Sequence, residues 1–100
     1  MAKFRFQDLE IWQKSIVIGD RLLDIADRLE ADKKIRFAEQ LRGAALSISN
    51  NIAEGSGSDS DREFAQFLNV AKRFCFEDVN MLLGFERRCL ITRRWKRRIV

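Results

Sequence analysis

The sequence predicts an all-α fold: an up-down antiparallel helical bundle of three long helices with a short or truncated fourth. Three observations carry this. The 100 residues contain no proline and five glycines, so little interrupts a helix. Apolar residues make up 46% and charged residues 34%, the balance of a folded domain with a solvated surface. The apolar residues also recur at spacings of three and four rather than two. The length suits one domain, residues 1–100, large enough for a core without disulfides or metal.

Helix one is expected over 8–30. Asp8 is placed to cap it, and Leu9, Trp12, Ile16, Leu22, Leu23, Ala26 and Leu29 form its stripe. Gly19 falls inside that stripe, weakening the helix by up to about 1 kcal/mol against alanine but allowing another helix to come close. Helix two is expected over 33–54, capped by Asp32, with a narrow Ala-rich seam of Ala38, Leu41, Ala45, Ile48 and Ile52. Gly55 is placed to end it in a left-handed conformation, and GSGSDS then forms a turn.

Helix three is expected over 60–88. Ser60 and Glu63 fit the reciprocal S-x-x-E capping box, with Asp59 and Asp61 adding negative charge near the N-terminus. Its apolar residues, among them Phe64, Phe67, Val70, Phe74, Phe76, Val79, Leu83 and Phe85, cover about two-thirds of a helical wheel. One chain cannot bury so wide a face, which predicts self-association. Residues 89–100 extend helix three or turn near Thr92 into a short fourth helix with Leu90, Trp95 and Ile99 on one side. Cys75 and Cys89 lie fourteen residues apart on one helix or its continuation, beyond disulfide reach at about 1.5 Å per residue, and are expected as free, buried thiols.

FRFQDLEIWQKS, EQLRGAALSISNNIAEGSGS and REFAQFLNVAKRF together resemble the four-helix-bundle family of 23S rRNA intervening-sequence proteins, to which the accessory variability protein of diversity-generating retroelements is similar. The resemblance spans about residues 4–85. Asp8, Leu9, Trp12, Gln13 and Lys14 match the opening motif; the central motif runs from Leu41 and Arg42 through Asn51, Ile52, Ala53, Glu54 and Gly55; Phe64, Phe67, Leu68, Ala71 and Glu77 fit the third helix. It implies an up-down bundle, a homopentamer, a basic surface in some members and no known catalysis. Where that family commonly has proline the chain has Ser49, which predicts a straighter second helix.

Candidate chemistry is sparse. Without histidine, neither a Ser-His nor a Cys-His arrangement can form within one chain. GSGSDS lacks the Lys-Ser/Thr ending of a P-loop, and Asp59, Asp61 and Glu63 lack the spacing of a calcium loop. No catalysis, cofactor or metal is expected. Ser47, Asn51, Glu54, Gly55, Ser60 and Glu63 form a polar corner, read mainly as a structural joint between helices two and three.

Charge is the strongest functional signal. Residues 1–86 carry 12 Lys and Arg against 15 Asp and Glu, whereas residues 87–100 carry seven bases and no acid. Arg87, Arg88, Arg93, Arg94, Lys96, Arg97 and Arg98 can neutralise phosphates, while Trp95 can stack on an exposed base or pack on the bundle. The expectation is a self-associating protein that binds RNA or DNA backbone, with no base-reading motif. The alternative is a protein-interaction scaffold or an accessory factor for a nucleic-acid enzyme such as a reverse transcriptase. No stretch approaches the roughly 20 apolar residues of a membrane span, and MAKFRFQDLE does not read as a signal peptide, so no membrane partner and a cytoplasmic location are expected.

Overall fold

The computed structural model describes residues 4–99, with side chains through residue 97. A 3-10 turn, Arg5–Asp8, leads into α1 (Glu10–Ala31), α2 (Ile35–Ala44), α3 (Ser47–Ser56), α4 (Asp61–Arg87) and a short α5 (Trp95–Ile99). There is no strand among the described residues. The all-α bundle is as expected, but several local expectations change. Asp8 ends the 3-10 turn, and Leu9 stands at the N-cap of α1. Asp32 is the C-cap of α1, and Lys34 precedes α2 without a side-chain cap bond.

Helix two is two ten-residue segments separated by Ala45 and Leu46. Replacing a proline by Ser49 does not straighten it. The Ser49 hydroxyl turns back to donate to the Leu46 carbonyl at 3.1 Å, which also accepts from Asn50 N–H at 2.9 Å, where the ladder of α3 begins. Gly19 of α1 also presses against this point: a Cβ built there would lie 2.7 Å from the Ala45 carbonyl oxygen. The close approach expected of Gly19 is present, made first to the Ala45 backbone and then to the Leu46 side chain, whose Cδ2 would lie 3.2 Å from a Cβ at this position.

Gly55 is not a left-handed terminator. No described glycine has positive φ; α3 runs on to Ser56, and Gly57 caps it at φ −87°. Gly55 is instead buried between α3 and α4, where a Cβ would come within 2.6 Å of Phe67 Cβ and 2.9 Å of Phe64 Cδ1. Left-handed conformations occur at Lys33 and Cys89. Both close Schellman turns: Lys33 N–H donates to Glu30 O and Lys34 N–H to Leu29 O at the end of α1, and Cys89 N–H to Glu86 O and Leu90 N–H to Phe85 O at the end of α4. The second turn stops α4 and sends the chain back over the bundle. This settles the form of the tail: the chain turns after Arg88, and a five-residue helix follows.

The core has two parts. At one end Leu22, Ile25, Ala26 and Leu29 of α1 meet Ala38 and Leu41 of α2, Leu82 and Phe85 of α4, and Trp95. Phe37 packs edge-on against Phe85, ring centroids 5.4 Å apart. At the other end Ile48 and Ile52 of α3 meet Ala71 of α4, with Leu9, Trp12, Leu68 and Phe74 around them. α4 touches both clusters, through Ala71 in one and Leu82 in the other, and between these lies Asp78, buried, with Oδ2 accepting no hydrogen bond from the described residues.

Candidate nucleic-acid interface

The basic segment begins on the last turn of α4, continues through the reversing turn and ends in α5. Arg87 and Arg88 follow Glu86 at a helix C-terminus, where positive charge is favoured by the helix dipole. The next residues are held by apolar anchoring: Leu90 and Ile91 are half-buried against the α1–α2–α4 core, and Trp95 is buried within it, 4% exposed. The Trp95 indole N–H donates to Glu86 Oε1 at 3.0 Å. Lys96 Nζ lies 3.7 Å from the same oxygen and 5.7 Å from the Trp95 ring centroid. An indole inside the core has no free face, so of its two sequence-derived roles Trp95 takes packing; base stacking on it is withdrawn.

What this anchor presents outward is charge. Arg87, Arg88, Arg93, Arg94, Lys96 and Arg97 are all exposed. Among the described residues only Lys96 of the six enters an ion pair. The side chain of Arg98 lies outside the described residues, as does that of Ile99. The structure therefore places six predicted binding residues on one solvent-facing segment, anchored within its length by Leu90, Ile91 and Trp95.

The polar corner is held by bonds within single helices and turns. Asn51 Nδ2 donates to Ser47 O at 2.8 Å, within its own helix, and Glu54 is exposed. Ser56 donates to Ala53 O at 2.7 Å, and the Ser58 hydroxyl donates to the carbonyl of Gly55. Ser60 caps α4, its Oγ accepting from Glu63 N–H at 3.1 Å; the return bond from the Glu63 carboxylate is not made. Every one of these bonds is local, which is the pattern of a joint.

The roles of three residues with defined environments, Arg42, Glu86 and Asp78, were not legible in the sequence. Arg42 of α2 reaches α1, its guanidinium 2.9 Å from Asp27 and forked onto both oxygens of Glu30 at 3.1 and 3.2 Å. Bonds to Glu30 and then Asp27 raise its pKa further. Glu86, the last acid before seven bases, is the acceptor that fixes Trp95, a role its isolation in the charge pattern could have signalled. Asp78 sits at an apolar-face position, and burial, reinforced by Glu77, pushes its carboxyl up to about 6. Neighbouring Cys75 is half-buried, and burial raises its thiol pKa. Cys89 is exposed, contrary to expectation, because it occupies the left-handed corner of the α4 turn.

Among the described residues no group of three or more Cys, Asp or Glu is placed to hold a metal ion, and no helix is long and apolar enough to cross a membrane. Compared with known proteins, the chain matches the family model of the 23S rRNA-intervening sequence protein over residues 7–99, more than nine-tenths of its length. No curated protein and no solved structure matches.

Proposed function

Because the chain belongs to the 23S rRNA-intervening sequence protein family, we propose that it is a non-enzymatic, self-associating bundle that binds the backbone of RNA or DNA through residues 87–97. The observation that carries this is the exposure of six cations on a segment without a single acid, held against the core by Trp95. A merely solubilising tail needs no anchor. A phosphate-binding surface gains from one, since pre-ordered arginines lose less freedom on contact.

Self-association is supported by α4. Phe76 is 68% exposed, and with Val79 and Leu83 it forms an i, i+3, i+7 stripe, flanked by exposed Lys72, Arg73 and Asn80. A second copy covering this stripe would bury the largest exposed aromatic of the chain's longest helix. The copies would then present several basic segments to one polyanion, strengthening binding by multivalency.

Titration of a fluorescent single-stranded RNA at several salt concentrations tests the backbone reading. Affinity should fall linearly on logarithmic axes with salt, with a slope of roughly −0.7 per phosphate neutralised. Replacing Arg93 and Arg94 together by Gln should weaken binding and flatten the slope by about 1 to 1.5. Binding indifferent to salt, or unchanged in that variant, contradicts the proposal.

A further inference from the structure

The reversal after α4 leaves a groove of about 220 Å³ between the C-terminal part of α1 and the returning segment. Its apolar lining includes the core residues Leu29 and Trp95, and Leu90 and Ile91, which are only half-buried, give it an accessible apolar surface. Its rim is polar: Arg28 and Asp32 from α1, Thr92 and Arg94 from the basic segment. Arg28 and Asp32 are four residues apart and both exposed, yet no ion pair within 4 Å joins them among the described residues. A cation and an anion therefore stand side by side at the mouth, each available to a ligand.

Size and charge together select the occupant. The groove is smaller than the roughly 300 Å³ at which pockets for drug-sized ligands begin, so it suits one flat ring system and not a folded peptide segment. Asp32 accepts hydrogen bonds and stands at the negative end of the α1 dipole, which favours a ligand edge that donates. The arginines on either side suit phosphate. A donor-bearing ring with phosphates on both flanks is a nucleotide within a strand.

We infer that this groove holds one unstacked base of a single-stranded nucleic acid, its amino-bearing edge toward Asp32 and its flanking phosphates on Arg28 and Arg94. The inference rests on the backbone-binding reading and adds to it a base-sized pocket that charge attraction alone does not require. Adenine, cytosine and guanine present such a donor edge, whereas uracil lacks the exocyclic amine. In this geometry the base lies against the half-buried Leu90 and Ile91, and Arg88, Arg93 and Arg97 remain free to follow the strand beyond the groove.

The test uses the full chain and eight-nucleotide single-stranded oligomers at one fixed salt concentration, read by fluorescence anisotropy. The strands are oligo-C, oligo-A, oligo-U and a strand of the same length made of abasic sites. The abasic strand should bind roughly tenfold more weakly than oligo-C or oligo-A, the effect expected of burying about 60 Å² of a base against aliphatic side chains. Oligo-U should fall between them. Asp32→Ala, a change at an exposed helix terminus, should abolish the preference for C and A over U while leaving the salt slope unaltered. An abasic strand that binds as tightly as an intact one overturns the groove assignment and leaves the backbone reading standing; failure of every strand to bind overturns both. A preference for C and A that survives in Asp32→Ala overturns the placement of the amino edge.

Discussion

At the scale of single residues, Asp78 is the position where burial and charge conflict. A carboxyl whose pKa is raised to about 6 in the folded protein, against 3.8 for the free group, binds its proton more tightly folded than unfolded. Its destabilising effect is absent below about pH 4, grows as pH rises through the interval, and is complete above about pH 6. Asp78→Asn should therefore stabilise the protein at pH 7 by of order 2 kcal/mol and have little effect at pH 4, measured by urea unfolding at both values. Gly55 illustrates the opposite lesson. The sequence suggested a conformational role, but the requirement is steric, because the Cβ of Gly55→Ala would meet Phe67 Cβ, an atom fixed to the α4 backbone. That variant should lose about 1–3 kcal/mol with α3 and α4 forced apart, a loss seen as a lower urea midpoint.

At the scale of elements, what was legible depended on whether the signal was local. The apolar stripes of α1 and α4 and the cap at Ser60 could be read because periodicity and side-chain capping live within a few residues. The break at Ala45–Leu46 could not, since the contact at this point comes from Gly19, twenty-six residues upstream, pressing on the Ala45 carbonyl. Helix ends were hidden for a related reason: glycine is the usual signal of a left-handed terminator, and this chain uses Lys33 and Cys89 instead. A non-glycine residue there bears a steric cost of about 1 kcal/mol or more. Cys89→Gly should accordingly raise stability by about 1 kcal/mol, provided the Schellman bonds persist, as followed by thermal unfolding with tail protection monitored by amide exchange. A decrease would mean that the thiol makes contacts which the turn alone does not explain.

At the scale of the whole molecule, the radius of gyration is 14.8 Å, larger than the about 13 Å of a compact 100-residue domain, and the extents are 44 × 30 × 23 Å. This elongation accompanies a last helix, α5, of five residues, too short to cover the 27-residue α4, so Phe76, Val79 and Leu83 face solvent. The sequence announced this imbalance through the width of the apolar face on α4, and it announced the uneven charge through residues 87–100. It left open which tail residues face inward; Trp95 was settled by the distant Glu86 acceptor and by the core formed from α1 and α2. Light scattering of the purified chain, with and without single-stranded RNA and with Phe76→Lys in parallel, tests assembly and binding together. The predicted result is a defined multiple of the chain mass that grows on adding RNA, and a smaller species for Phe76→Lys. A single subunit whose mass RNA does not change would contradict the account.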